Sequence, residues 1–244
     1  MDPNQISKSY NDMGQYNSNN PAAINSSYVA TYMTKVYGWM FVGLSITAAI
    51  SFLVASTPAI YSVLFGNKLL FFGLLIAQVF LVGFLVMRIQ KMSAAAATAI
   101  FLGYAVLMGI TFSALLLAYS TGSLVTVFAI TAGTFGIMTA VGYFTKQDLT
   151  SFGKIMMMGL IGIVLASIVN FFVGSSTLYW IISYVGVAVF VGLIAYDTQK
   201  IKAYALLDNE EDRKRGAILG ALALYLDFVN LFIFLLRLFG GRRD

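Results

Sequence analysis

Apolar residues fall into seven long runs along this chain, at about 36–56, 69–89, 94–118, 122–144, 155–174, 178–199 and 217–238. Each is close to the roughly 20 residues that a helix needs to cross a hydrocarbon core. The pattern predicts an all-α membrane protein with seven transmembrane helices in a single domain over residues 31–244. Residues 1–30 are polar and rich in Asn, Ser and Tyr, with no apolar stretch of the kind a cleaved signal peptide carries. They are expected to form a disordered tail. The connections are short. The longest, about 200–216, carries KIKAYALLDNEEDRKR. The links at 119–122 and 174–177 hold no charge, which predicts tight hairpins. No internal repeat is visible, so an inverted-repeat transporter gains little support.

Composition narrows the chemistry. Hydrophobic residues make up 59% and charged residues 10%, against roughly 25% charged in a soluble chain. So few charges cannot cover a soluble surface. Without cysteine there are no disulfides, thiolate metal sites or cysteine nucleophiles. Without histidine the chain lacks the commonest metal ligand, the commonest general base and the usual sensor of pH near neutrality. Any response to pH falls to carboxylates or to a lysine. The net charge of +5 does not point to a nucleic acid, because the basic residues sit at helix ends. There they set topology.

With the amino terminus and the even-numbered loops on one side, that side holds eleven Lys and Arg residues and the other holds four. The amino terminus is therefore expected in the cytoplasm. Seven crossings then put the carboxyl terminus outside, although LRLFGGRRD is basic. The competing topology has a last helix that does not cross fully.

An ionisable residue inside a span is costly, and is by default a functional candidate. Asp227 lies near the middle of the seventh span, and Asp197 near the cytoplasmic end of the sixth. Arg88 closes the second span on the same side. On the seventh span Gly216, Gly220, Ala223, Asp227, Asn230, Phe234 and Arg237 recur at spacings of four and three, hence on one helix face. Small residues there allow close helix contact in lipid. The stripe is expected to face the sixth helix, with Asn230 as a supporting polar group. The plainer alternatives are that Asp227 and Asn230 tie helices together by hydrogen bonds, and that Arg88 snorkels. Gln78 in the second span is a candidate cavity-lining residue. The methionines at 156–158 fit packing or lipid contact better than a metal site.

If Asp197 and Asp227 meet, two carboxylates in one desolvated site cannot both ionise cheaply, and they share a proton. Fully ionised, the pair offers hard oxygen ligands that suit Ca²⁺. Arg88 nearby favours the ionised form and clamps the helices until protonation releases it.

The segments KVYGWMFVGLSITA (35–48), MGITFSALLLAYS (108–120), TKQDLTSFGKIMMMGLIGIVLASIVNFF (145–172), GLIAYDTQKIK (192–202) and ALALYLDFVNLFIFLLRLFG (221–240) give the chain a recognisable character. It resembles the bacterial branch of the Bax inhibitor-1 family, the transmembrane Bax-inhibitor-motif family, over nearly every span and in order. The resemblance implies six helices surrounding a central seventh, in a bacterial inner membrane. It implies a pH-sensitive calcium leak gated by an aspartate pair, which falls on Asp197 and Asp227, and a latch arginine, which falls on Arg88. Some relatives carry a glutamate in the second span, where this chain has only Gln78. No cofactor is expected. The partners are the lipid bilayer, calcium ions and protons.

Two other readings stand beside the leak. One is a regulator that binds another membrane protein, such as a quality-control protease. The other is an intramembrane aspartyl protease, in which the shared proton would serve acid–base chemistry. The residues before Asp227 are Leu224, Tyr225 and Leu226 rather than the glycines such a protease carries, so no enzymatic activity is expected.

Overall fold

The structure, a computed structural model, describes residues 26–243. Helix α1 (Ser26–Ala55) begins inside the segment expected to be tail, and residues 1–25 lie outside the described residues. A short helix α2 (Pro58–Gly66) follows, then α3 (Lys68–Arg88), a 3-10 turn (Ile89–Lys91), α4 (Ala94–Ala118), α5 (Thr121–Phe144), α6 (Thr150–Val173), α7 (Ser176–Tyr204) and α8 (Glu210–Phe239). Among the described residues seven helices, all but α2, are long and apolar enough to cross a membrane. They coincide with the seven apolar runs. Helix α2 was not foreseen; Pro58 starts it, and none of its nine residues is buried.

Local chemistry sets the ends. The Asn67 side chain accepts from the amides of Leu69 and Leu70 and opens α3. Ser120 does the same for α5 through the amide of Ser123. Gly174 closes α6 in the left-handed region at φ 67°, a conformation that costs glycine little. Helices α4 and α5, and α6 and α7, are therefore joined by only residues 119–120 and 174–175, as tight hairpins. Glu210, Glu211 and Asp212 occupy the first turn of α8, where carboxylates complement the helix dipole.

The chain divides into two compact units. One comprises the described residues up to Ala114 with Lys200–Leu222. In it α1 lies against α4: Thr47 donates to the carbonyl of Ala105 at 3.0 Å, and a Cβ at Gly109 would stand 2.8 Å from Ile50. Gln78, the candidate cavity residue, is instead a buried tie from α3 to α4, donating to the Leu107 carbonyl and to Thr111. Arg215 of α8 donates to the carbonyl of Gln90 in the 3-10 turn. Gly216 and Gly220 face Tyr204 and Ile201 of α7.

The other unit comprises Leu115–Gln199 with Ala223–Asp244. Phe228 of α8 packs edge-on against Phe128 and Phe135 of α5. Phe234 stacks on Phe190 of α7 with centroids 5.8 Å apart, and the guanidinium of Arg237 lies 5.5 Å from the Tyr179 ring centre. Beyond α8 the chain pairs with the α4–α5 hairpin. Ser120 N donates to Gly241 O, Gly241 N to Ser123 Oγ, and Arg243 N to Ala118 O. At 30 residues α8 is about 45 Å long, enough to cross completely.

This arrangement gives a direct test of orientation. Single cysteines replacing Asp208 and Arg243 stand alone in a chain without native thiols. An impermeant maleimide is expected to label position 243 in intact cells and position 208 only after permeabilisation. The reverse pattern would invert the topology.

Candidate functional site

Asp197 and Asp227 both belong to the second unit. The α7 segment leading to Asp197 is gripped from two sides. A Cβ at Gly142 of α5 would overlap the carbonyl of Ala195, and a Cβ at Gly153 of α6 would overlap the ring of Tyr196. Glycine at these two positions lets α7 come close just before Asp197, which is half-buried. Two residues further on, Gln199 accepts from Leu149 N and donates to Gln147 O, both at 2.8 Å. The link between α5 and α6 is thus pinned to the end of α7. In that link Asp148 accepts from Thr150 N at 2.8 Å. Hydrogen bonds from the Thr150 side chain and backbone hold its carboxyl below the ordinary carboxylate range. A depressed folded value means this contribution is present above the ordinary range and lost as pH falls through the lowered value.

Asp227 is 4% exposed, and among the described residues it is the only Asp, Glu, Lys or Arg that is buried. Leu224 and Tyr225, just before it, are fully buried, as are most of its neighbours on α8. The helices α7 and α8 are consecutive, joined by residues 205–209, and run antiparallel. From the stacked Phe190 and Phe234, seven residues forward on α7 leads to Asp197 and seven residues back on α8 leads to Asp227. Two helical turns separate each aspartate from that stack. Asn230 donates to the carbonyl of Leu226 in its own helix at 2.8 Å, so that bond ties no helices together.

Two buried hydroxyls of the same unit, Thr139 and Thr198, have no hydrogen-bond partner among the described residues. Burying such groups unsatisfied costs about 1–3 kcal/mol each. Among the described residues no three His, Cys, Asp or Glu side chains gather to hold a metal.

Arg88 is the last residue of α3; it is exposed and forms no ion pair among the described residues. Gly142, Gly153 and Gln199 were not singled out from the sequence. Their only signal there was that the two glycines flank the 145–149 link. Met157 and Met158 are exposed on α6, as lipid-facing residues would be.

Residues 29–244 match the family model described as "Inhibitor of apoptosis-promoting Bax1", a description that names no catalysed reaction. The chain is 49% identical over 216 residues to "Inner membrane protein YbhL" of Escherichia coli (strain K12), covering 87% of this chain and 92% of that one. An uncharacterized protein of Deinococcus radiodurans is 46% identical over 217 residues, covering 88% and 92%. The "Uncharacterized protein RP147" of Rickettsia prowazekii is 42% identical over 218 residues, covering 87% and 90%.

Proposed function

The chain belongs to the Bax inhibitor-1 family, as an integral protein of a bacterial inner membrane, and from that premise we propose that it is a pH-sensitive leak for Ca²⁺ gated by Asp197 and Asp227. One observation carries the reading. Asp227, the only buried Asp, Glu, Lys or Arg among the described residues, lies the same seven residues from the Phe190–Phe234 stack as does Asp197. Two carboxylates level with each other on packed helices share a proton rather than ionise together. Losing that proton creates a hard-oxygen site for Ca²⁺, and regaining it expels the ion. The unsatisfied hydroxyls of Thr139 and Thr198 support a wet interior.

Burial supports a central seventh span with six around it. Its most apolar stretch is 72% buried and that of the sixth 50%, against 33% or less in the other five. Arg88 is the latch in this reading, the part that the resemblance to the family gives it. The protease reading finds no support, because Leu224, Tyr225 and Leu226 precede Asp227 where such a protease carries glycines.

The test is Ca²⁺ entry into liposomes holding the purified chain. Entry is expected above that of protein-free vesicles, changing with pH. No entry at any pH would overturn the leak and leave the binding of another membrane protein as the surviving role. Arg88→Ala is expected to raise basal entry about threefold, the weight of one exposed ion pair, while leaving the pH dependence in place.

A further inference from the structure

Away from the aspartates, a cavity of about 460 Å³ opens within the first unit, where the amino-terminal ends of α1, α4 and α8 meet. Its size suits a small ligand. Lys35, Arg213 and Lys214 line it against a single carboxylate, Glu210. Glu210 is already paired with Lys214 at 2.8 Å. Lys35 forms no ion pair among the described residues. Arg213 Nη1 donates to the carbonyls of Leu207 and Asp208 at 2.6 and 2.9 Å, which holds the guanidinium in place without neutralising it. Three helices also start here, and each adds the positive end of its dipole. The pull on anions is visible at α4, whose first amide, that of Ala94, takes Glu211 Oε1 at 2.7 Å.

The rest of the wall is aromatic and apolar. Tyr28, Tyr32, Lys35 and Trp39 recur on one face of α1 at spacings of four, three and four. Across from them α8 contributes Ala217 and Ile218. Tyr and Trp beside Lys and Arg at the ends of spans are the groups that meet lipid headgroups at a membrane surface.

We propose that this cavity binds an anionic phospholipid. Its phosphate is held by Lys35, Lys214 and Arg213, and its glycerol and upper acyl carbons lie against Trp39 and Ile218. The excess of cations selects an anion, and basic pockets between spans on the cytoplasmic side suit such headgroups. The aromatic wall selects an amphiphile, since a free phosphate would leave the exposed Tyr28 and the half-buried Trp39 uncovered. A ligand for a cavity at the ends of three spans comes from the leaflet beside it. The proposal does not rest on the leak reading.

The chain has two tryptophans, and only Trp39 lines the cavity. Trp180→Phe therefore leaves one reporter. The full chain is placed in phosphatidylcholine nanodiscs, and phosphatidylglycerol with brominated acyl chains is introduced stepwise. Trp39 is expected to be quenched at an about tenfold lower mole fraction than with brominated phosphatidylcholine. Equal quenching by the two lipids overturns the proposal without needing any change to the cavity. Replacing the two lysines together, Lys35→Gln with Lys214→Gln, is expected to bring the lipids within about twofold of each other. Full preference in a folded double variant also overturns it. Soluble glycerol phosphate is expected to leave the quenching unchanged. Relief of quenching by that anion alone overturns the lipid as occupant in favour of a free phosphate ester.

Discussion

Asp227→Asn is expected to lower Ca²⁺ entry into liposomes about tenfold, since the affinity of an oxygen site for Ca²⁺ follows its count of charged ligands. It is also expected to flatten the response between about pH 5 and about pH 8, the range in which a chain without histidine must find another switch. Asparagine keeps the shape and the hydrogen bonding of the buried aspartate but cannot lose a proton. If Asp227 served only to tie helices together, asparagine would do that task and the pH profile would stay as it was. Folding is a separate matter that the same protein can report. Burying a carboxylate beside a second one is costly and asparagine removes that cost, so thermal unfolding of the variant is expected no lower than that of the parent. Asp197→Asn removes the other half of the pair and is expected to flatten the profile as well. It also weakens the attraction for Arg88, so its basal entry falls less. An unchanged pH profile in both variants would take the aspartates out of the mechanism.

The part of this site on α8 was legible because its stripe breaks an otherwise apolar helix. Gly216, Gly220, Asp227 and Asn230 stand out among Leu, Phe, Ile and Val. A face that admits small and polar groups at mid-span must point toward protein. The glycines do meet α7, at Tyr204 and Ile201. Helices α4, α5 and α6 gave no such signal. In lipid the outward face is as apolar as the inward one, so periodicity loses its meaning. That Gly142 and Gly153 meet α7, while Gly133 and Gly136 meet nothing, depends on the neighbour and not on the run that holds them. The cavity on α1 escaped for the opposite reason. Tyr28 falls within the stretch that reads as tail and Tyr32 lies just beyond it, ahead of the first apolar run, yet Tyr32 is buried, with its hydroxyl donating to the carbonyl of Arg213. The basic carboxyl-terminal segment spoke against a full crossing of α8. In the structure Arg237 lies over the rings of Tyr179 and Phe234, and the backbone beyond it is paired with the α4–α5 hairpin.

Gly142→Ala is expected to cost about 3 kcal/mol, at the upper end for forcing a methyl into a filled space, and to lower the unfolding temperature by roughly 10 °C. The added Cβ would overlap the main-chain carbonyl of Ala195, with the Ala195 Cα and carbonyl carbon both 2.9 Å away. A flexible side chain could swing aside. A carbonyl inside a 29-residue helix cannot, because it is committed to the hydrogen-bond ladder of α7. Relief therefore requires α5 and α7 to part along the contact, which loosens packing around the buried Ala195 and displaces Asp197 two residues on. Gly136→Ala, on the same helix, meets nothing within 4 Å. There the same change is expected to be neutral or to stabilise by up to about 1 kcal/mol through helix propensity alone. The pair separates close approach from the general effect of removing a glycine. Both variants are to be unfolded by heat in one detergent and assayed for Ca²⁺ entry in liposomes. Gly142→Ala is expected to lose both stability and pH-dependent entry, and Gly136→Ala neither. Equal unfolding temperatures for the two would mean that α7 does not pass so near α5, and the placement of Asp197 would fall with that contact.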